Sequence, residues 1–98
     1  MGPRTSPQYL VETNTLRRTA NSPKCRWKFT NHALERMAER GITAPDVQRA
    51  VKHGQIIFHE VKKDLILRVE GKDVDGARIQ VSVAVYEMEI LIKVITTF

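Results

Sequence analysis

Two helix starts and two helix stops are written into residues 29–54, FTNHALERMAERGITAPDVQRAVKHG. Thr30 can accept a hydrogen bond from a free N–H of the turn that follows it, and Gly41 can adopt the left-handed conformation that ends a helix. Thr43 then starts a second helix. Pro45 falls in its first turn, where a missing N–H costs little, and Asp46 stands three residues after the cap, where a carboxylate suits the positive helix end. Gly54 closes it. The spacing predicts helices at Asn31–Arg40 and Ala44–His53, so short that they must pack on something else to be stable.

Along the first helix, Ala33, Leu34, Met37 and Ala38 form the expected apolar face. His32, Arg36 and Arg40, each four residues apart, form a second stripe. Like charges at that spacing are mildly destabilising, so the stripe has two readings. One is a solvated face balanced by Glu35 and Glu39. The other is an anion site: His32 lies in the first turn, near free N–H groups, where the positive field favours the neutral imidazole that a general base needs.

Beyond Gly54 the period changes from helical to two, which predicts strands at Gln55–His59, Leu65–Glu70, Ala77–Tyr86 and Glu89–Thr97. A polar turn, Lys62 to Asp64, joins the first two, and KDVDG (Lys72 to Gly76), with Asp-Gly at its end, joins the next two. Ile79, Val81, Val83 and Val85 fall on one face, as do Leu65, Leu67 and Val69, and Ile90, Ile92 and Val94. The opposite face carries Arg68, Arg78, Gln80, Ser82, Lys93 and Thr97. The expected fold is therefore α+β, two N-terminal helices packed on the valine face of a four-stranded antiparallel meander. The uncovered face is either an ordinary solvated surface or a local cationic cluster.

Charge sharpens that choice. The net charge is +5, and residues 1–28 hold six Lys/Arg against one Asp/Glu, while residues 29–98 hold ten of each. The main domain is neutral, so any phosphate site within it must be a local cluster. The leading segment, residues 1–28, is a separate region by composition. Residues 1–21 read as mostly irregular, either mobile or ordered only by contact with another chain, and Cys25 to Phe29 as a short edge strand or anchor, with Phe29 placed for a hydrophobic staple before Thr30. The segment is either a loose terminus or a basic arm that touches RNA or a partner. Cys25 is the single cysteine, which fits a reduced, cytoplasmic setting. No apolar stretch is long enough to span a bilayer. His32, His53 and His59 lack metal-ligand spacing, and neither metal nor cofactor is expected.

The motifs H-A-L-E-R-M (His32 to Met37), E-R-G-I (Glu39 to Ile42), D-V (Asp46 to Val47) and V-I-T (Val94 to Thr96) resemble those of a small uncharacterised bacterial domain family. That family is similar in layout to the RelE, HigB and MqsR toxins and their metal-independent ribonuclease superfamily. The resemblance covers residues 29–98. It implies a RelE-like fold and an endoribonuclease toxin of a two-gene toxin–antitoxin pair, or a toxin module of a larger secreted protein. It also implies an RNA substrate and a protein antitoxin or immunity partner. Self-association into a homodimer is left open.

The residues offer matching chemistry. RNA carries its own nucleophile in the 2′-hydroxyl, so cleavage needs a base, cations on the phosphate and an acid at the leaving oxygen. His32 is the candidate base, and Arg36, Arg68 and Lys93 are candidate phosphate clamps. Thr96 belongs to the closing motif, although alternation puts Thr96 on the valine face and Thr97 on the polar one. The sequence shows no clear second acid. The alternative function is a non-catalytic module that grips RNA or a protein with the polar sheet face.

Overall fold

A computed structural model describes residues 9–61 and 63–98. The order is α1 (Leu10–Ala20), β1 (Arg26–Phe29), α2 (Asn31–Arg40), α3 (Ala44–His53), β2 (Gln55–Val61), β3 (Leu65–Lys72), β4 (Arg78–Tyr86), a 3₁₀ turn (Glu87–Glu89) and β5 (Leu91–Thr97). The strands form one sheet in the order β1-β5-β4-β3-β2. From β2 to β5 it is an antiparallel meander, and β1 joins parallel to β5. The fold is α+β, with the helices on one sheet face.

The caps act as their residue types dictate. Thr30 Oγ1 accepts from the Ala33 N–H at 3.0 Å, and Gly41 ends α2 at φ 65°. Thr43 and Asp46 form a reciprocal capping box. The Asp46 carboxylate accepts from the Thr43 N–H and hydroxyl, both at 2.8 Å, and from the Val74 N–H at 3.0 Å. One buried carboxylate thus ties the start of α3 to the β3–β4 turn. Those hydrogen bonds, the Thr43 backbone first, hold its pKa below the usual carboxylate value.

The core is the predicted valine face plus the helix residues laid on it. Val69, Val81, Val83, Leu67, Ile92 and Val94 meet Ala33, Met37, Val47, Ala50 and Val51. Burying each large aliphatic side chain contributes about 1.5–3 kcal/mol against the entropy of ordering the chain. Close packing of α3 on β3 depends on Gly71, where an added Cβ would lie 2.6 Å from the Ala50 carbonyl oxygen.

Four expectations need correction. First, residues 1–21 are not irregular throughout: Leu10–Ala20 is a helix, and Leu16 and Ala20 are buried in the core with α3 and the sheet. Residues 1–8 of that stretch lie outside the described residues, as does Lys62 of the polar turn. Second, the sheet has five strands and is mixed, because Arg26–Phe29 pairs parallel with β5. Third, Leu34 and Ala38 are exposed, so only Ala33 and Met37 form the buried stripe of α2. Fourth, the last strand begins at Leu91. Glu89 lies in the 3₁₀ turn, and Ile90 has φ 48°, a left-handed conformation uncommon for a β-branched residue.

Two bulges rearrange the faces. In β2, Ile56 is opposite Val69 and Phe58 opposite Arg68, so Ile57 is the extra residue. In β5, Val94 is opposite Val83 and Thr96 opposite Ser82, so Ile95 is extra. Past each bulge the alternation inverts. Thr96 therefore stands on the uncovered face beside Ser82. Thr97, expected there, is fully buried opposite Val81, and its hydroxyl has no hydrogen-bond partner among the described residues. No helix among the described residues is long and apolar enough to cross a membrane.

Candidate functional site

The last residues of β5 gather side chains from three elements. β1 runs beside β5 only as far as Phe29, opposite Val94. Beyond that point α2 takes over the open edge. The Thr30 N–H donates to the Val94 carbonyl at 3.0 Å, and the Thr30 hydroxyl donates to the Ile95 carbonyl at 2.7 Å. Arg36 Nε donates to the Thr97 carbonyl at 3.4 Å. The bulge at Ile95 turns two successive carbonyls to the same edge, and the cap residue of α2 satisfies both. This fixes the stripe of His32 and Arg36 at the edge of the sheet.

On the uncovered face, Phe58, Arg68, Ser82 and Thr96 form one row across β2, β3, β4 and β5. The Arg68 guanidinium lies 3.9 Å from the centroid of the Phe98 ring, a cation–π contact. Phe98 is positioned by its own N–H, which donates to the Gln80 carbonyl at 2.9 Å. Phe58 and Phe98 remain 51% and 39% exposed.

Lys93 occupies the neighbouring row, opposite Ala84, and its partner on β1 is Lys28. Like charges directly opposed across strands cost stability unless an anion or solvent separates them. Among the described residues neither lysine, nor Arg68, meets a carboxylate. Arg78 differs: it faces Glu70 at 3.7 Å, and Glu70 also accepts from Gln80 at 3.0 Å. Of the three sheet cations expected from alternation, Arg68 and Lys93 are therefore open among the described residues, and Arg78 is exposed beside one carboxylate, Glu70.

Arg36 contacts the end of β5 at the Thr97 carbonyl and Arg68 contacts it through the Phe98 ring, Thr96 shares the cross-strand row of Arg68, and His32 is exposed in the first turn of α2. His32 makes no hydrogen bond, ion pair or ring contact among the described residues. It shares a helix stripe with Arg36, whose Nη1 also meets Glu39 at 3.3 Å, leaving Nη2 for a ligand. His59 packs edge-on against Tyr9 and His53 ends α3, so neither stands in the row at the end of β5. Tyr86 donates to Asp64 at 3.0 Å, and burial followed by that carboxylate pushes its phenol above the ordinary value, which keeps it a donor. Among the described residues no three His, Cys, Asp or Glu side chains come together to hold a metal ion.

Sequence reasoning missed Phe58, Phe98, Arg26 and Lys28 as members of this face. Strict alternation hides Phe58, because only the bulge turns it outward. The signal for Arg26 and Lys28 was present in the alternation of CRWKF, with Trp27 and Phe29 packed inward.

Residues 29–98 match the model of a family described as a domain of unknown function, DUF4258. No curated protein and no solved structure matches the chain.

Proposed function

We propose that this chain, which belongs to the DUF4258 family, acts on RNA as a RelE-like toxin. It holds a single strand on the uncovered sheet face and cleaves it without metal at the end of β5. The observation that carries this reading is that Arg36 reaches the Thr97 carbonyl and Arg68 covers the Phe98 ring, with Thr96 in the same cross-strand row as Arg68 and Phe58 and Phe98 exposed. Phosphates sit on Arg68, Lys93 and Lys28, while bases stack on Phe58 and Phe98. The RNA 2′-hydroxyl gives its proton to His32, and its oxygen bonds to phosphorus. The bond from phosphorus to the 5′-oxygen breaks, and that oxygen takes a proton from water. The products are a 2′,3′-cyclic phosphate and a 5′-hydroxyl. Arg36 and Arg68 offset the charge that builds on the phosphoryl oxygens. In the cell the partner is a protein antitoxin or immunity protein that covers this face.

A second reading, RNA binding without cleavage, is favoured by one observation: no histidine or carboxylate stands in the row of Phe58, Arg68, Ser82 and Thr96, and His32 lies outside it on α2. Product analysis separates the two. Mixed-sequence RNA incubated with the purified protein in EDTA should yield 2′,3′-cyclic phosphate ends. Intact RNA that is nevertheless retained on a filter would leave the binding reading in place and remove the catalytic one.

A further inference from the structure

At the same strand ends but toward the other edge of the sheet, beyond β4, lies a half-open cleft of about 390 Å³, between the end of α3 and the start of β2. Its floor is the place where α3 approaches the sheet most closely, at two glycines. Gly54 and Gly71 line it, and a Cβ at either would fall 2.4–2.6 Å from the Ala50 carbonyl oxygen, so neither position accepts another residue. Around this floor stand Arg49 and His53, one turn apart on α3, and Lys72 and Arg78, opposite each other on β3 and β4. Among the described residues Arg49 and Lys72 have no carboxylate partner. Arg78 faces Glu70, which forms part of the wall. With Arg78 paired to Glu70, Arg49 and Lys72 leave a net positive charge at the cleft that an anion would offset.

We propose that this cleft binds a nucleoside phosphate, either as a free nucleotide or as the terminal nucleotide of an RNA. The phosphate lies among Arg49, Lys72 and Arg78. Glu70 would repel the phosphate but can accept hydrogen bonds from ribose hydroxyls, since Gln80 and Arg78 take only part of its accepting capacity. A plain inorganic anion would leave that acceptor unused. The volume lies in the range of small-molecule pockets, about 300–1,000 Å³. The carbonyl end of α3 opposes an anion, and its last groups are already engaged: the Gly54 N–H donates to Ala50 at 2.7 Å and Arg17 donates to the Gly54 carbonyl at 3.4 Å. The phosphate therefore sits toward the sheet cations. None of these residues belongs to the row at the end of β5, so the assignment does not depend on the RNA-cleavage reading.

The test is amide chemical-shift titration of the full chain with adenosine 5′-monophosphate, extended past about 1 mM, the affinity range of a few charged contacts. Saturable shifts of the Gly54 and Gly71 amides are expected. The double variant Arg49→Ala/Lys72→Ala should weaken binding about tenfold or more, and Lys24→Ala, on a distant exposed turn, should not. Both cleft side chains are exposed, and the single variants Arg49→Gln and Lys72→Gln replace the double variant should it melt early. Shifts produced only by a 5′-phosphorylated oligonucleotide, and weakened by the same variants, would assign the cleft to an RNA terminus. No shift with either ligand, or shifts that the cleft variants leave unchanged, would overturn the proposal.

Discussion

Replacing Leu16 by Ala tests whether the helix ahead of the family domain is part of the core. α1 lies outside residues 29–98, the stretch that the family model matches, yet Leu16 is only 1% exposed and packs with the sheet and α3. The substitution removes three buried carbons, about 2.4 kcal/mol at about 0.8 kcal/mol each. The cavity left behind raises the loss to about 2.7–5 kcal/mol. A domain of this size has about 5–15 kcal/mol in total, so the variant should lose a large share of its stability. Urea unfolding followed by far-UV circular dichroism reads this directly. With a slope of about 1–3 kcal/mol/M, the midpoint should fall by about 1 M or more with the slope unchanged. Val11→Ala in the same helix is the control, because Val11 is 73% exposed and its loss should stay within about 0.5 kcal/mol. If Leu16→Ala shifts the midpoint no more than Val11→Ala does, α1 is an appendage and the core described above is wrong.

Three further outcomes are expected. Gly71→Ala should cost about 1–3 kcal/mol or more through overpacking against Ala50, read from the urea midpoint, and an unchanged midpoint would refute the close approach of α3 to β3. The lowered pKa of Asp46 means that its contribution is complete above the ordinary value of 3.8 and is lost as pH falls through the lowered one. Asp46→Asn should therefore be less stable than wild type near pH 6 and lose less on acidification. Parallel acid curves for the two proteins would contradict this. On the uncovered face, Phe98→Ala should weaken RNA binding by about 1–3 kcal/mol through lost stacking. Arg68→Ala should lower the salt slope of binding by about one counterion, and unchanged slopes in fluorescence anisotropy would remove Arg68 from the interface.

The capped helix pair was legible to the residue, because Thr30, Gly41, Thr43, Pro45 and Asp46 each satisfy a specific backbone need within a few positions. The valine face was equally legible, since its alternation continues unbroken through β3 and β4. What escaped the sequence had physical causes. α1 turns Thr13 and Thr19 inward alongside Leu16 and Ala20, so its buried stripe is only half apolar and its periodicity is faint. The pairing of β1 with β5 is parallel and long-range, and no local turn announces it. The bulges at Ile57 and Ile95 carry no glycine or proline to mark them, yet each inverts the faces that follow. That inversion exchanged Thr96 with Thr97 and concealed Phe58. The sequence offered Arg36 and Arg68 as candidates, but the contact of Arg36 with the Thr97 carbonyl depends on α2 replacing β1 along the strand edge, which only the tertiary structure provides.

The most direct test of RNA cleavage at the end of β5 compares wild type with His32→Ala on a labelled mixed-sequence RNA in EDTA, with affinity measured on the same samples. His32 is exposed and makes no hydrogen bond, ion pair or ring contact among the described residues, so the variant should fold and bind RNA as wild type does. Its cleavage rate should fall by about 10²–10⁴-fold, the scale of a lost general base. Equal rates for the two proteins, or no cleavage by either, would contradict the assignment of His32 as the base.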